Sequence, residues 1–147
     1  MDQKRGRIVV GVDGSAGSKA ALAWAAAQAK LSGATLDAIA AWSYPASYGW
    51  APVYPDNDSL STLTQKALSK TLKATLGEAA AAEITTTVTE GQPAEVLVAA
   101  SADAELLVVG SRGRGGFASL VLGSVSQHCV QHAPCPVAVI PPADEGK

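Results

Sequence analysis

Short runs of branched apolar residues alternate along the chain with longer segments whose apolar positions recur every three or four residues. RIVVGV (Arg7–Val12) is a β-branched run closed by the turn residues Asp13-Gly14-Ser15. KAALAWAAAQAKL follows as a helix capped by Ser18 and running to about Ser32, with Gly33 past its end and Leu22, Ala25, Ala26 and Ala29 on its buried face. ATLDAIAAW (Ala34–Trp42) reads as a second strand. A loop broken by Pro45, Pro52 and Pro55 leads to a second helix from Ser59 to about Ala82, on which Leu60, Leu63, Ala67, Leu68, Leu72 and Leu76 repeat at threes and fours. EITTTVT (Glu83–Thr89) is the third strand, and PAEVLVAASA a short helix with Pro93 at or near its first position. ELLVVG is the fourth strand, apolar after its first residue and so covered on both faces. A helix running to about His132 and the strand PVAVI (Pro136–Ile140) complete the order, with residues 1–6 and 142–147 as flexible ends.

Strands alternating with helices imply right-handed crossovers, and hence an α/β fold: an open five-stranded parallel sheet with helices on both faces. The 147 residues suit a single domain, 1–147, with no internal repeat. Hydrophobic residues make up 48% and charged residues 16%, the balance of a compact core, and the apolar content is mostly small. A net charge of −2 leaves no general basic surface for a nucleic-acid backbone. No apolar h-region follows MDQKRGR, and no apolar run approaches the ~20 residues a membrane helix needs. Two cysteines are too few for a disulfide framework, and the chain reads as cytoplasmic.

The stretch GSRGRGGFASLVLGSVS, Gly110–Ser126, then holds five glycines in seventeen residues directly after a buried strand. Where a strand turns into a helix, unpaired N–H groups and the helix dipole make an anion site, and glycines admit phosphate oxygens close to the backbone or permit positive φ. On this reading Gly110 and Gly113 shape the turn. Gly123 opens the last helix, the amides of Ser124, Val125 and Ser126 face the anion, and Ser124 and Ser126 add hydroxyl donors. Arg112 and Arg114 supply charge-assisted bonds. Gly113–Ala118 fits the letters of a dinucleotide fingerprint, but it lies in the last βα unit with no ribose-binding acid ~20 residues on. No Gly-Lys-Ser/Thr is present for a Walker loop.

One spacing fits fully: Gly110, two residues, Gly113, nine residues, then Gly123-Ser124. Together with VVGVDGSAGSKAALAWA, EGQPAEVLVAAS and HCVQHAPCPVAVI, it resembles the universal stress protein family over nearly the whole chain. The resemblance implies a strand order of 3-2-1-4-5, a fold of the adenine nucleotide α-hydrolase-like kind, and ATP or a related adenine nucleotide at the switch point between the first and fourth strands. Carried over, it points to Gly11 and Asp13 after the first strand and to Trp42 beside adenine. It places Val109, Gly110, Arg112 and Gly113 along ribose and phosphates, with Gly123, Ser124, Val125 and Ser126 at the phosphate-facing helix start. Gly11 stands where some ATP-binding members have proline, and Trp42 where a small aliphatic residue is common. The implied function is a nucleotide-binding stress sensor or regulator, with homodimerisation through the fifth strand; apart from the resemblance, Asp13–Ser18 reads either as a second helix-start site whose Asp13 helps hold Mg²⁺ beside phosphates or as only a turn and cap. Residues 110–127 hold no carboxylate or histidine to orient water, which argues against efficient catalysis. The alternatives are a slow ATPase or self-phosphorylating enzyme with Ser124 or Ser126 as acceptor, and a dimeric interaction module that needs no nucleotide.

His128, Cys129, His132 and Cys135 have the residue types of a metal site. They read instead as dipole-complementing histidines and small apolar cysteines, with no metal expected. Five of the seven aromatics (Trp42, Tyr44, Tyr48, Trp50 and Tyr54) fall in or beside the 43–58 loop, either folded on itself or serving as a lid or protein-binding patch.

Overall fold

The computed structural model describes residues 6–43, 57–112 and 122–142. Five strands, β1 (Arg7–Gly11), β2 (Thr35–Trp42), β3 (Thr85–Glu90), β4 (Leu106–Gly110) and β5 (Val137–Ile140), form one sheet in the order β3-β2-β1-β4-β5. Every neighbouring pair is parallel. The helices are α1 (Ala16–Ser32), α2 (Asn57–Leu76), α3 (Glu78–Ala82), α4 (Pro93–Ala100) and α5 (Ser124–His132). The expected architecture and strand order are both present.

The strand pleat divides the core in two. Ile8, Val10, Val12, Leu36, Ala38, Ala40 and Val108 pack against Ala21, Leu22, Ala25 and Ala29 of α1 and Leu68 and Leu72 of α2. On the other face Val9, Ile39, Leu107 and Val109 meet Leu97 of α4 and Cys129 of α5. The run of alanines on α1 and the strands lets backbone layers lie close, so a chain poor in aromatics still fills its interior. Because α1 and α5 leave the centre of the sheet on opposite faces, strand order reverses between β1 and β4, where α/β sheets open a crevice at their carboxyl ends.

Several local expectations are corrected. Ser15, not Ser18, caps α1: the Ser18 amide donates to Ser15 Oγ at 3.2 Å, and Ser18 Oγ donates back to Ser15 O at 3.1 Å. A cap side chain reaches the amide three residues ahead, so the helix starts earlier than the first apolar repeat suggests. The long second helix is two, divided at Gly77, whose φ of 91° no helix accommodates. Leu63 is 58% exposed and Ala67 also faces outward, so Leu68 and Leu72 carry the buried face of α2. β3 begins at Thr85, and α4 ends at Ala100 in a 3-10 turn, Ser101–Asp103.

One polar feature has no counterpart in the apolar pattern. Arg7 bridges Asp37 and Asp103, both at 2.9 Å, and also donates to Ala100 O at 2.8 Å. Thr87 Oγ1 donates to the other oxygen of Asp37 at 3.0 Å, so the network ties three strands to the end of α4. The two sheet edges differ: β3 is TTTVTE, whereas β5 is VAVI, apolar and half-buried along its length. Among the described residues no helix is long and apolar enough to cross a membrane. Residues 1–5 and 143–147 of the expected flexible ends, and Tyr44, Tyr48, Trp50 and Tyr54 of the aromatic loop, lie outside the described residues.

Candidate functional site

At the switch point β1 and β4 pair with Val10 opposite Val108, which brings Gly11 level with Val109 one residue further on. Val109 is buried on the α4/α5 face, and a Cβ at Gly11 would stand 2.7 Å from Leu97 Cδ1 on that face. Both residues therefore offer a ligand backbone, not side chain. Beyond β1, Asp13 Oδ1 accepts the Ser15 amide at 2.9 Å and the Asp13 amide donates to Ser18 Oγ at 3.2 Å. The first βα turn is thus closed by its own short polar side chains, with Asp13 exposed.

The last βα turn is held differently. Ser111 O accepts both the Gly123 amide at 2.7 Å and Ser126 Oγ at 3.1 Å, so one carbonyl joins the end of β4 to the start of α5. Ser111 in turn donates its amide to Ile140 O of β5 at 2.9 Å. The first backbone bond of α5 runs from Gln127 N to Gly123 O, which leaves the amides of Ser124, Val125 and Ser126 ahead of it, and Gly123 brings no side-chain cap. Donors so placed, at the positive end of a helix, suit an anion.

Two expectations about side chains change here. Ser126 is 2% exposed and its hydroxyl is directed at Ser111 O and Gly123 O, the latter at 3.0 Å, so it secures the turn and leaves Ser124 as the exposed hydroxyl of the pair. Gly110 and Gly123 do not need positive φ: Gly123 sits at φ −68°, and the positive-φ glycines among the described residues are Gly14, Gly33, Gly77 and Gly91. Gly110 is required by packing. A Cβ on it would meet the Gly17 carbonyl carbon at 2.7 Å and oxygen at 2.8 Å, and a Cβ on Gly17 would meet Arg112 O at 2.5 Å. Two backbones, the end of β4 and the first turn of α1, touch without side chains between them.

Gly17 and Ser111 are thus the residues that sequence reasoning missed. Gly17 had a signal, a glycine three residues past the turn glycine Gly14 in DGSAGS, whereas nothing marks a carbonyl such as that of Ser111. Trp42 is half-buried at the end of β2, with its carbonyl accepting the Gly91 amide at 2.8 Å. Since Gly11 pairs with Ile39, β2 continues about 10 Å beyond that level and makes one wall of the crevice, two strands from β4. Arg112 is half-buried beside this turn, and Gly113 lies outside the described residues.

The cysteine–histidine segment lies at the end of α5 and in the turn after it. Cys129 is fully buried and burial pushes its thiol up to about 11, while the His128 and His132 rings lie 4.5 Å apart. Among the described residues no three His, Cys, Asp or Glu side chains gather as a metal site.

The model of the universal stress protein family matches residues 4–141. The chain is 37% identical over 132 residues to universal stress protein Rv2623 of Mycobacterium tuberculosis, covering 90% of this chain and 44% of that protein. It spans about half the length of the curated relatives it matches. Universal stress protein UspA from Lactobacillus plantarum superposes with a TM-score of 0.73 at 22% identity, covering 95% of this chain and 99% of the other. A universal stress protein in complex with cAMP superposes with a TM-score of 0.61 at 27% identity, covering 92% and 95%.

Proposed function

The chain belongs to the universal stress protein family, and from that premise we propose that it binds an adenine nucleotide, with ATP the expected ligand, as a cytoplasmic stress-response sensor or regulator with little turnover. The observation that carries this reading is the start of α5, where three amides precede the first helical bond and one carbonyl fixes them beside the end of β4. Phosphates would take these amides and the exposed Ser124 hydroxyl, with Arg112 and Gly113 beside them. The nucleoside would lie across Gly11 and Val109 toward Trp42. The cAMP complex of a family member supports an adenine ligand. Asp13 fits Mg²⁺ only as a single carboxylate completed by phosphate oxygens, since its Oδ1 already accepts an amide. A homodimer through β5 follows from its apolar, half-buried edge. The enzymatic reading, slow hydrolysis or self-phosphorylation, keeps Ser124 alone as acceptor, because the Ser126 hydroxyl is buried and bonded.

Calorimetry with ATP, AMP and cAMP, alongside mass spectrometry of any ligand that copurifies, tests the proposal. Gly123→Val places a branched side chain where phosphate would approach, at a φ of −68° that valine tolerates, so the fold should persist. Loss of two or three amide contacts of about 1 kcal/mol each weakens binding roughly a hundredfold. Binding of ATP by this variant as tight as by the parent would refute the site.

A further inference from the structure

A second surface lies away from the crevice. Leu68 and Leu72 turn α2 toward the sheet, and Lys66, Lys70 and Lys73 are exposed on the opposite side. At 100° per residue these three lysines fall within a sector of roughly 60° and span about 10 Å of helix. Lys66 and Lys70 are four apart and Lys70 and Lys73 three apart, so like charges repel along one stripe of a chain whose net charge is −2. The ion pairs among the described residues are both made by Arg7, and no described carboxylate is paired with these lysines. The helix dipole accounts for Lys73 in the last turn of α2, but not for Lys66 and Lys70 further in.

The lysines border a shallow, open groove along the face of α2, whose other lining residues include Gln65, Ser69 and Ala74. Its polar wall is fixed in place: Gln65 Nε2 donates to Thr86 Oγ1 at 3.3 Å and reaches Ser69 Oγ at 3.5 Å. We propose that this groove on α2 is a docking surface for an acidic segment of a partner protein. Carboxylates spaced along such a segment match three separate ammonium groups. A nucleic acid fits less well. The lining holds no aromatic ring for base stacking and no arginine for bidentate phosphate contact. The groove uses no residue of the proposed nucleotide site, so the two readings stand or fall separately.

Fluorescence anisotropy of a fluorescein-labelled hexaglutamate peptide with the intact chain tests this. Saturable one-to-one binding is expected, weakening about tenfold between low and physiological salt because the contacts are exposed charges. K66Q/K70Q/K73Q should lose roughly tenfold or more in affinity, whereas K19Q/K30Q, which removes exposed charge from α1, should stay within about twofold. The triple variant removes mutually repelling charges, so its melting temperature should not fall. Equal binding by the triple variant, an equal loss in the α1 variant, or tighter binding of hexauridylate or phosphatidylserine vesicles to the same lysines would each overturn the proposal.

Discussion

Gly110→Ala reverses the usual sign of a glycine-to-alanine change. At a position whose backbone alanine can adopt, that substitution stabilises by about 0.4–1 kcal/mol through the unfolded chain. Here the added Cβ would stand 2.7, 2.8 and 3.2 Å from the carbonyl carbon, oxygen and Cα of Gly17. All three are main-chain atoms of the first turn of α1, and none can rotate away. Restoring a carbon–carbon separation of about 3.5 Å moves α1 from β4 by about 0.8 Å. Such overpacking costs about 1–3 kcal/mol, and a wall of backbone puts it at the upper end. After the unfolded-state gain the net loss is about 2 kcal/mol, or about 4–8 °C in melting temperature for a chain of this size. Gly17→Ala meets Arg112 O at 2.5 Å and should behave alike. Because one outward shift of α1 relieves both contacts, the double variant should cost less than the sum of the singles. Calorimetric melts of the four proteins measure this. A neutral or stabilised Gly110→Ala, or full additivity, would refute the backbone contact.

Four further outcomes follow from other parts of the fold. Asp37→Ala should destabilise by about 3 kcal/mol, seen in urea melts, because it breaks an ion pair whose acid is 11% exposed and leaves Thr87 without its acceptor; a loss below about 1 kcal/mol would count against the network. Burial raises the Cys129 thiol from 9.0 to about 11. The folded state therefore keeps a proton that the unfolded state releases, and the parent should lose up to about 1.4 kcal/mol per pH unit between those values relative to Cys129→Ala. At pH 8 a thiol reagent should label Cys135 and spare Cys129 until the chain is unfolded; two fast-reacting thiols would sink this. Light scattering should report a dimer, and a monomer at high concentration would count decisively against pairing through β5.

Much of the fold is legible in the sequence because unbroken apolar runs and period-3.6 repeats record burial, and burial is what the strands and helices share. The break at Gly77 escapes that pattern: leucines continue in register up to Leu76, and nothing in their spacing reports a backbone angle. Arg7, Asp37, Thr87 and Asp103 escape it for another reason, since four polar residues far apart in sequence become one unit only when three strands align. At the candidate site the glycines were visible as a set, but their individual reasons were not. Gly110 and Gly17 answer to each other across 93 residues of chain, a steric relation that a local motif cannot express. Ser126 reads as a ligand donor because a hydroxyl at a helix start usually is one, and its diversion to Ser111 O depends on how closely the start of α5 lies to the end of β4.

The unlike edges of the sheet also limit how large an assembly can grow. A strand joined to its own copy about a two-fold axis uses the same border of both molecules and closes the set at two. Growth into a ribbon would need the opposite border to accept a strand as well. There β3 exposes Thr85 and Thr89, ends at Glu90, and turns its Thr87 hydroxyl inward to Asp37. If copies pair through β5, the pair presents outward only the β3 borders, each ending in a carboxylate, and concentration alone should not turn pairs into fibres.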